Sequence, residues 1–181
     1  MELTIDVSSE KLFETLGLFL EKEAEKIKNI ILNGTNASLD LFDIVNNNDK
    51  TCNISTIKNT CGIYVFMMIN NTPVNNFNYV NYGAKTNNNL NGSNFSVNKC
   101  FYLGKSENSL VKRLNEHLID SPSTTYSLKL DDINRQHVRG NISLYTFVLR
   151  NVYLNYKKII LSVVESFLHD SLTPMVGTIR I

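Results

Sequence analysis

The chain has 181 residues, 43% of them hydrophobic, and 18 Lys and Arg against 17 Asp and Glu. That suffices for one domain of ordinary size, with a real core, plus an extension. No run of about 18 apolar residues occurs, which excludes a membrane-spanning helix of the usual kind, and a net charge of +1 says nothing by itself about nucleic acid.

Met1 to Val7 alternates apolar and polar residues and reads as a strand or an arm. It runs into acidic residues rather than an apolar stretch, so a secretory leader is not expected. From Glu10 to Leu32 the apolar residues Leu12, Phe13, Leu16, Phe19, Leu20, Ile27, Ile30 and Ile31 recur at helical spacing. Ser8 or Ser9 can cap this helix and Gly34 can end it. Glu21, Lys22, Glu23, Glu25, Lys26 and Lys28 read as its solvated face. The apolar stripe packs on the domain or on a second copy, so a homodimer through this helix is one expected arrangement. Ala37 to Val45 reads as a short helix or turn, and Asn46 to Lys50 as a loop.

Cys61 to Ile69, CGIYVFMMI, is a nearly continuous run of β-favouring residues and reads as a buried strand. Asn70 to Lys99 follows, with twelve asparagines, Pro73, Gly83 and Gly92. Its composition favours disorder, while long loops in compact domains are often functional. Cys100 to Ile119, CFYLGKSENSLVKRLNEHLI, then reads as a short strand, a turn at Gly104 and a helix. Ser106 or Asn108 can cap that helix. Leu110, Val111, Leu114 and Leu118 share one face, and Arg113 and His117, four apart, stack on its flank. A cation and an imidazole at the edge of a packed face, near a strand tyrosine, suit phosphate chemistry.

Ser121 to Gly140 is mixed, with a basic cluster at Lys129, Arg135, His137 and Arg139 that could meet phosphates. Asn141 to Tyr153 reads as a third core strand. Lys157 to Leu172 reads as the last helix, with Glu165 at the border of its apolar face and Pro174 as its stop. Residues 1–60 carry 6 Lys and Arg against 10 Asp and Glu, whereas residues 61–181 carry 12 against 7. The basic part is the part with the candidate site, which points towards an anionic partner. Cys52, Cys61 and Cys100 are odd in number and lack metal-type spacing, so free thiols in a reducing, cytoplasmic setting are expected.

The triplets Gly62-Ile63-Tyr64 and Tyr102-Leu103-Gly104, the Arg113/His117 helix, the strand near 141–151 and the Glu165 helix ending at Pro174 follow one another in order. In that order they resemble the GIY-YIG nuclease family. The resemblance runs from about Gly62 to Pro174. It implies an α/β (α+β) domain over 61–181, with a small three-stranded antiparallel or mixed sheet flanked by helices. The N-terminal 1–60 would be a helical extension. Tyr64 and Tyr102 are 38 residues apart where the family has a short hairpin, so residues about 70–99 would be an insertion.

The resemblance further implies a metal-dependent endonuclease acting on DNA, of restriction, homing or repair type. Tyr64, Tyr102, Arg113 and His117 would be catalytic. Gly104, Lys105, Lys112 and Arg139 would meet the substrate, and Glu165 would hold one Mg²⁺ or Mn²⁺. Either a tyrosine or His117 could position or deprotonate the attacking water. Where the family commonly has an asparagine after the helix-ending proline, Pro174 is followed here by Met175, Val176 and Gly177. That departure and the insertion favour a second reading, a weak or inactive nucleic-acid-binding or assembly module with the same fold.

Loop length costs little free energy once a loop is long. Deleting Asn75 to Asn98 and closing the gap with a short turn is therefore expected to leave a folded domain. Circular dichroism and a cooperative thermal melt check this, and loss of folding would make the segment part of the packed structure.

Overall fold

A computed structural model of the chain describes residues 9–49, 60–69, 99–118 and 141–174. In chain order it has helix α1 (Ser9–Asn33), strands β1 (Phe42–Asp49), β2 (Gly62–Ile69) and β3 (Lys99–Ser106), helix α2 (Leu110–Leu118), strand β4 (Asn141–Leu149), a 3-10 segment (Asn151–Tyr156) and helix α3 (Lys157–Leu172). The strands form one antiparallel sheet in the order β1-β4-β2-β3. The fold is mixed α/β, with helices packed on an antiparallel sheet.

β2 is paired along both edges. The register sets Tyr64 opposite Gly104 on one side and opposite Thr146 on the other. The two triplet strands are thus antiparallel neighbours, as expected from the sequence. A register shift falls between Phe66 and Met67.

Alternation along β2 divides the molecule into layers. Ile63, Val65 and Met67 join Leu103, Phe147 and Leu149 in a core shared with α1 and α3. α1 contributes Leu20, Ala24, Ile27, Ile30 and Ile31, and α3 contributes Ile160, Leu161, Val164, Leu168 and Leu172. Tyr64 and Phe66 take the opposite face, where their rings meet His117 of α2.

The helix ends follow local chemistry. Gly34 takes φ 63° and its N–H donates to the Ile30 carbonyl at 3.1 Å, closing α1 in the left-handed manner. α2 is capped by Ser109, whose Oγ accepts the Lys112 N–H at 3.1 Å, rather than by Ser106 or Asn108. Ser106 lies one step further out, its Oγ accepting the Ser109 N–H at 3.2 Å. The buried face of α2 is Leu110, Leu114 and His117, so the imidazole belongs to the packed stripe and not to its flank.

Three local readings change. Residues 42–49 are a strand, not a helix, turn or loop, because their backbone pairs with β4 from Phe42↔Leu149 onward. The sheet therefore has four strands, not three. Glu23 is buried on α1 rather than solvated: its Oε1 accepts the Leu41 N–H at 2.7 Å and so ties α1 to the entry of β1. Its other oxygen has no hydrogen bond, but the Lys26 ammonium lies within ion-pair range at 3.5 Å. The asparagine-rich stretch over residues 70–98 lies outside the described residues.

The layer between α1, α3 and the sheet is expected to hold most of the stability. Leu168 is fully buried, so Leu168→Ala should cost about 2–5 kcal/mol by urea denaturation. Leu12 on the same helical stripe of α1 is 60% exposed, and Leu12→Ala should stay within about 0.5 kcal/mol.

Candidate functional site

The site starts from Tyr64, which β2 carries on the face away from the main core. Its ring crosses β3 at Gly104. A Cβ on Gly104 would lie 2.6 Å from Tyr64 Cζ and 3.1 Å from Tyr102 Cε1, so only glycine lets the phenol lie there. Tyr64 Oη is hydrogen-bonded to His117 Nε2 at 2.8 Å. Arg113, one turn earlier on α2, donates from Nε to the same oxygen at a longer 3.4 Å. The Tyr102 ring lies 5.1 Å from the His117 ring and 6.1 Å from that of Tyr64. The structure thus brings Tyr64, Tyr102, Arg113 and His117 into one group, with Gly104 at its base.

Burial grades this group. Tyr64 and His117 are fully enclosed, while Tyr102 and Arg113 are half-buried and reach the outside. Burial, aided by the Arg113 cation, drives the His117 imidazole down to about 3, so it is neutral at pH 7. Burial, reinforced by Tyr102 and opposed by Arg113, pushes the Tyr64 phenol well above its ordinary value. Burial lowers the Arg113 pKa, but Tyr64 and Glu116 more than offset this and raise it. With both partners neutral, the bond between Tyr64 and His117 runs in either direction according to the imidazole tautomer.

Lys105 follows Gly104 on β3 and points to the other face. Its Nζ donates to Ser162 Oγ and lies 3.5 Å from Glu165 Oε2 and 3.7 Å from Glu107 Oε1. Glu165 is 12% exposed, on the flank of α3 that faces β3. Glu165 therefore sits with Lys105 in a second group, on the opposite face of the sheet from Tyr64, Tyr102, Arg113 and His117, so the five candidate residues do not converge on one face. Lys112 is exposed on the outer side of α2, and Arg139 lies outside the described residues.

Three neighbours were not read from the sequence. Glu116 binds Arg113 NH1 through Oε2 at 2.8 Å, and its position three residues on from Arg113 was the available signal. Glu107 and Ser162 gather round Lys105 only because β3 and α3 meet. Among the described residues no three His, Cys, Asp or Glu side chains gather as a metal cage. Glu107, Ser162 and Glu165 each face the Lys105 ammonium with oxygens, the donor type that Mg²⁺ takes through one or two carboxylates. The donor type suits such an ion, but the Lys105 ammonium already stands among these oxygens, so a divalent ion would have to displace it. Comparison of the chain with protein-family models, with curated proteins and with solved structures gives no match. The case for a site accordingly rests on this geometry.

The depressed imidazole makes a pH prediction. In the unfolded chain His117 binds a proton near pH 6.5, whereas in the folded chain it stays neutral down to about 3. Between those values the unfolded state holds more protons, so stability is full above pH 6.5 and falls as the pH drops through this window. Urea midpoints measured from pH 7 to pH 5 should decline in the wild type and flatten in His117→Gln. Parallel slopes would mean that the imidazole is not held neutral.

Proposed function

We propose that the chain is a metal-dependent endonuclease that hydrolyses phosphodiester bonds of DNA, of the GIY-YIG type. One observation carries the reading. Two tyrosines far apart in sequence meet on one sheet face beside an arginine and a histidine one helical turn apart. The antiparallel pairing of the two triplet strands supports it. Restriction, homing and repair roles fit equally.

Each residue then has a physical task. Arg113, partly exposed, forks onto the non-bridging phosphate oxygens, where a guanidinium matches two acceptors at once. Tyr64 and His117 are enclosed and hold that guanidinium from beneath through the Tyr64 hydroxyl. Tyr102 is the tyrosine that reaches solvent, and it orients the attacking water. Glu165, on the other face of β3 from Arg113, would hold one Mg²⁺ or Mn²⁺. A bound divalent ion supplies charge relief at the leaving oxygen. Lys105 adds positive charge beside the same carboxylate. Gly104 leaves room for the tyrosine rings.

A second reading has its own support. Tyr64 and His117 are sealed from solvent, and Arg113 and Glu165 are each matched by an internal opposite charge. Glu165 also stands on the opposite face of the sheet from Arg113, an arrangement that favours a nucleic-acid-binding module with the same fold.

Supercoiled plasmid incubated with the purified chain and Mg²⁺ or Mn²⁺ separates the two. Nicking or linearisation is expected. Arg113→Ala should slow it by about 10² to 10³, the scale for losing one donor to a developing charge. Glu165→Ala should abolish cleavage while DNA binding persists. Plasmid that is bound but left intact would replace the enzyme with the binding module, and plasmid neither bound nor cut would sink both.

A further inference from the structure

Glu116 stands at a position that helix energetics does not explain. It lies in the last turn of α2, where the macrodipole is negative and disfavours a carboxylate. Its partner Arg113 precedes it by three residues, an order less favourable than acid before base. An exposed pair of this kind contributes about 0–1 kcal/mol. Both side chains are nevertheless partly buried, 21% and 15% exposed, and the bond between them is fully formed at 2.8 Å. The pair serves Arg113, not the helix: a guanidinium withdrawn from water needs a counter-charge.

We propose that Glu116 is the resident anion of the Arg113 site, occupying NH1 of the guanidinium until a backbone phosphate of nucleic acid takes its place. This rests on the reading of Arg113 as the phosphate-binding group. A carboxylate and a phosphodiester present the same acceptor to a guanidinium, two oxygens with shared negative charge. Nε is engaged by Tyr64 Oη beneath and NH1 by Glu116 at the rim, so the exchange concerns the outer edge and leaves the inner bond in place. Glu116 thereby sets a threshold. A ligand binds Arg113 only if it repays breaking the ion pair, which favours an anionic backbone over neutral polar groups.

The test is metal-free binding of a labelled DNA duplex, in EDTA, by fluorescence anisotropy between 50 and 200 mM salt. Four forms are compared: wild type, Glu116→Gln, Arg113→Ala and the double variant. Glu116→Gln should tighten binding about tenfold, and the slope of log K against log salt should steepen towards one further phosphate contact, about 0.9. In the Arg113→Ala background the same change should have little effect. Equal tightening in both backgrounds would mean a general charge effect and would overturn the exchange, as would no change or weaker binding in Glu116→Gln. If wild type and Arg113→Ala bind alike, the phosphate reading of Arg113 fails instead. Glu116→Ser repeats the test with a smaller polar side chain. Loss of folding in both Glu116 variants would make the residue a structural partner and overturn the proposal.

Discussion

The structure hangs on a strand that is enclosed on every side. β2 is hydrogen-bonded to β3 and to β4, and both of its faces are covered, one by α1 and α3 and the other by α2. Such a strand admits little variation. Gly62 shows why: a Cβ there would press on the Phe147 carbonyl and approach Val148 Cα to 3.2 Å. Gly104 does the same service on the neighbouring strand. The two glycines let strand and ring pack at distances no larger residue permits, and the tyrosine group is built on that closeness.

The charges of the candidate site are matched internally. Arg113 has Glu116, Glu165 has Lys105, and the enclosed imidazole is neutral. An enclosed charge without a partner would cost several kcal/mol, so a fold that keeps reactive groups half-buried must supply counter-charges from its own chain. An anionic ligand would meet charges that are already matched, which is the condition for the exchange proposed at Glu116. Thr146, opposite Tyr64 on β4, is the exception to this completeness: its buried hydroxyl has no hydrogen-bond partner among the described residues.

The elements with strong internal patterns were legible in the sequence. The apolar period of α1, the continuous run of β2 and the stripe of α3 each match their segments closely. The antiparallel meeting of β2 and β3 was legible through the tyrosine and glycine triplets. β1 was not, because FDIVNNND has little of the β-favouring character of a strand, and pairing with β4 decides its state. The burial of Glu23 was hidden for the same kind of reason, since its partner is a backbone amide of another element. Within the site the side chains on α2 could be grouped from spacing alone. The grouping of Lys105 with Glu107, Ser162 and Glu165 needed the three-dimensional meeting of β3 and α3.

The order of the sheet has a consequence for the nascent chain. β1 pairs with β4, and α1 shares its core with α3, so the earliest elements find their partners only near the other end of the sequence. Asp43 and Arg150, joined by a 3.0 Å ion pair, are 107 residues apart. At ~5–20 residues per second, a ribosome needs on the order of 5–20 s to supply the later partner. During that interval Leu20, Ala24, Ile27, Ile30 and Ile31 form an apolar stripe that lacks the α3 surface completing its cover. Emergence from the exit tunnel is thus the stage at which this stripe is most open to non-native contacts.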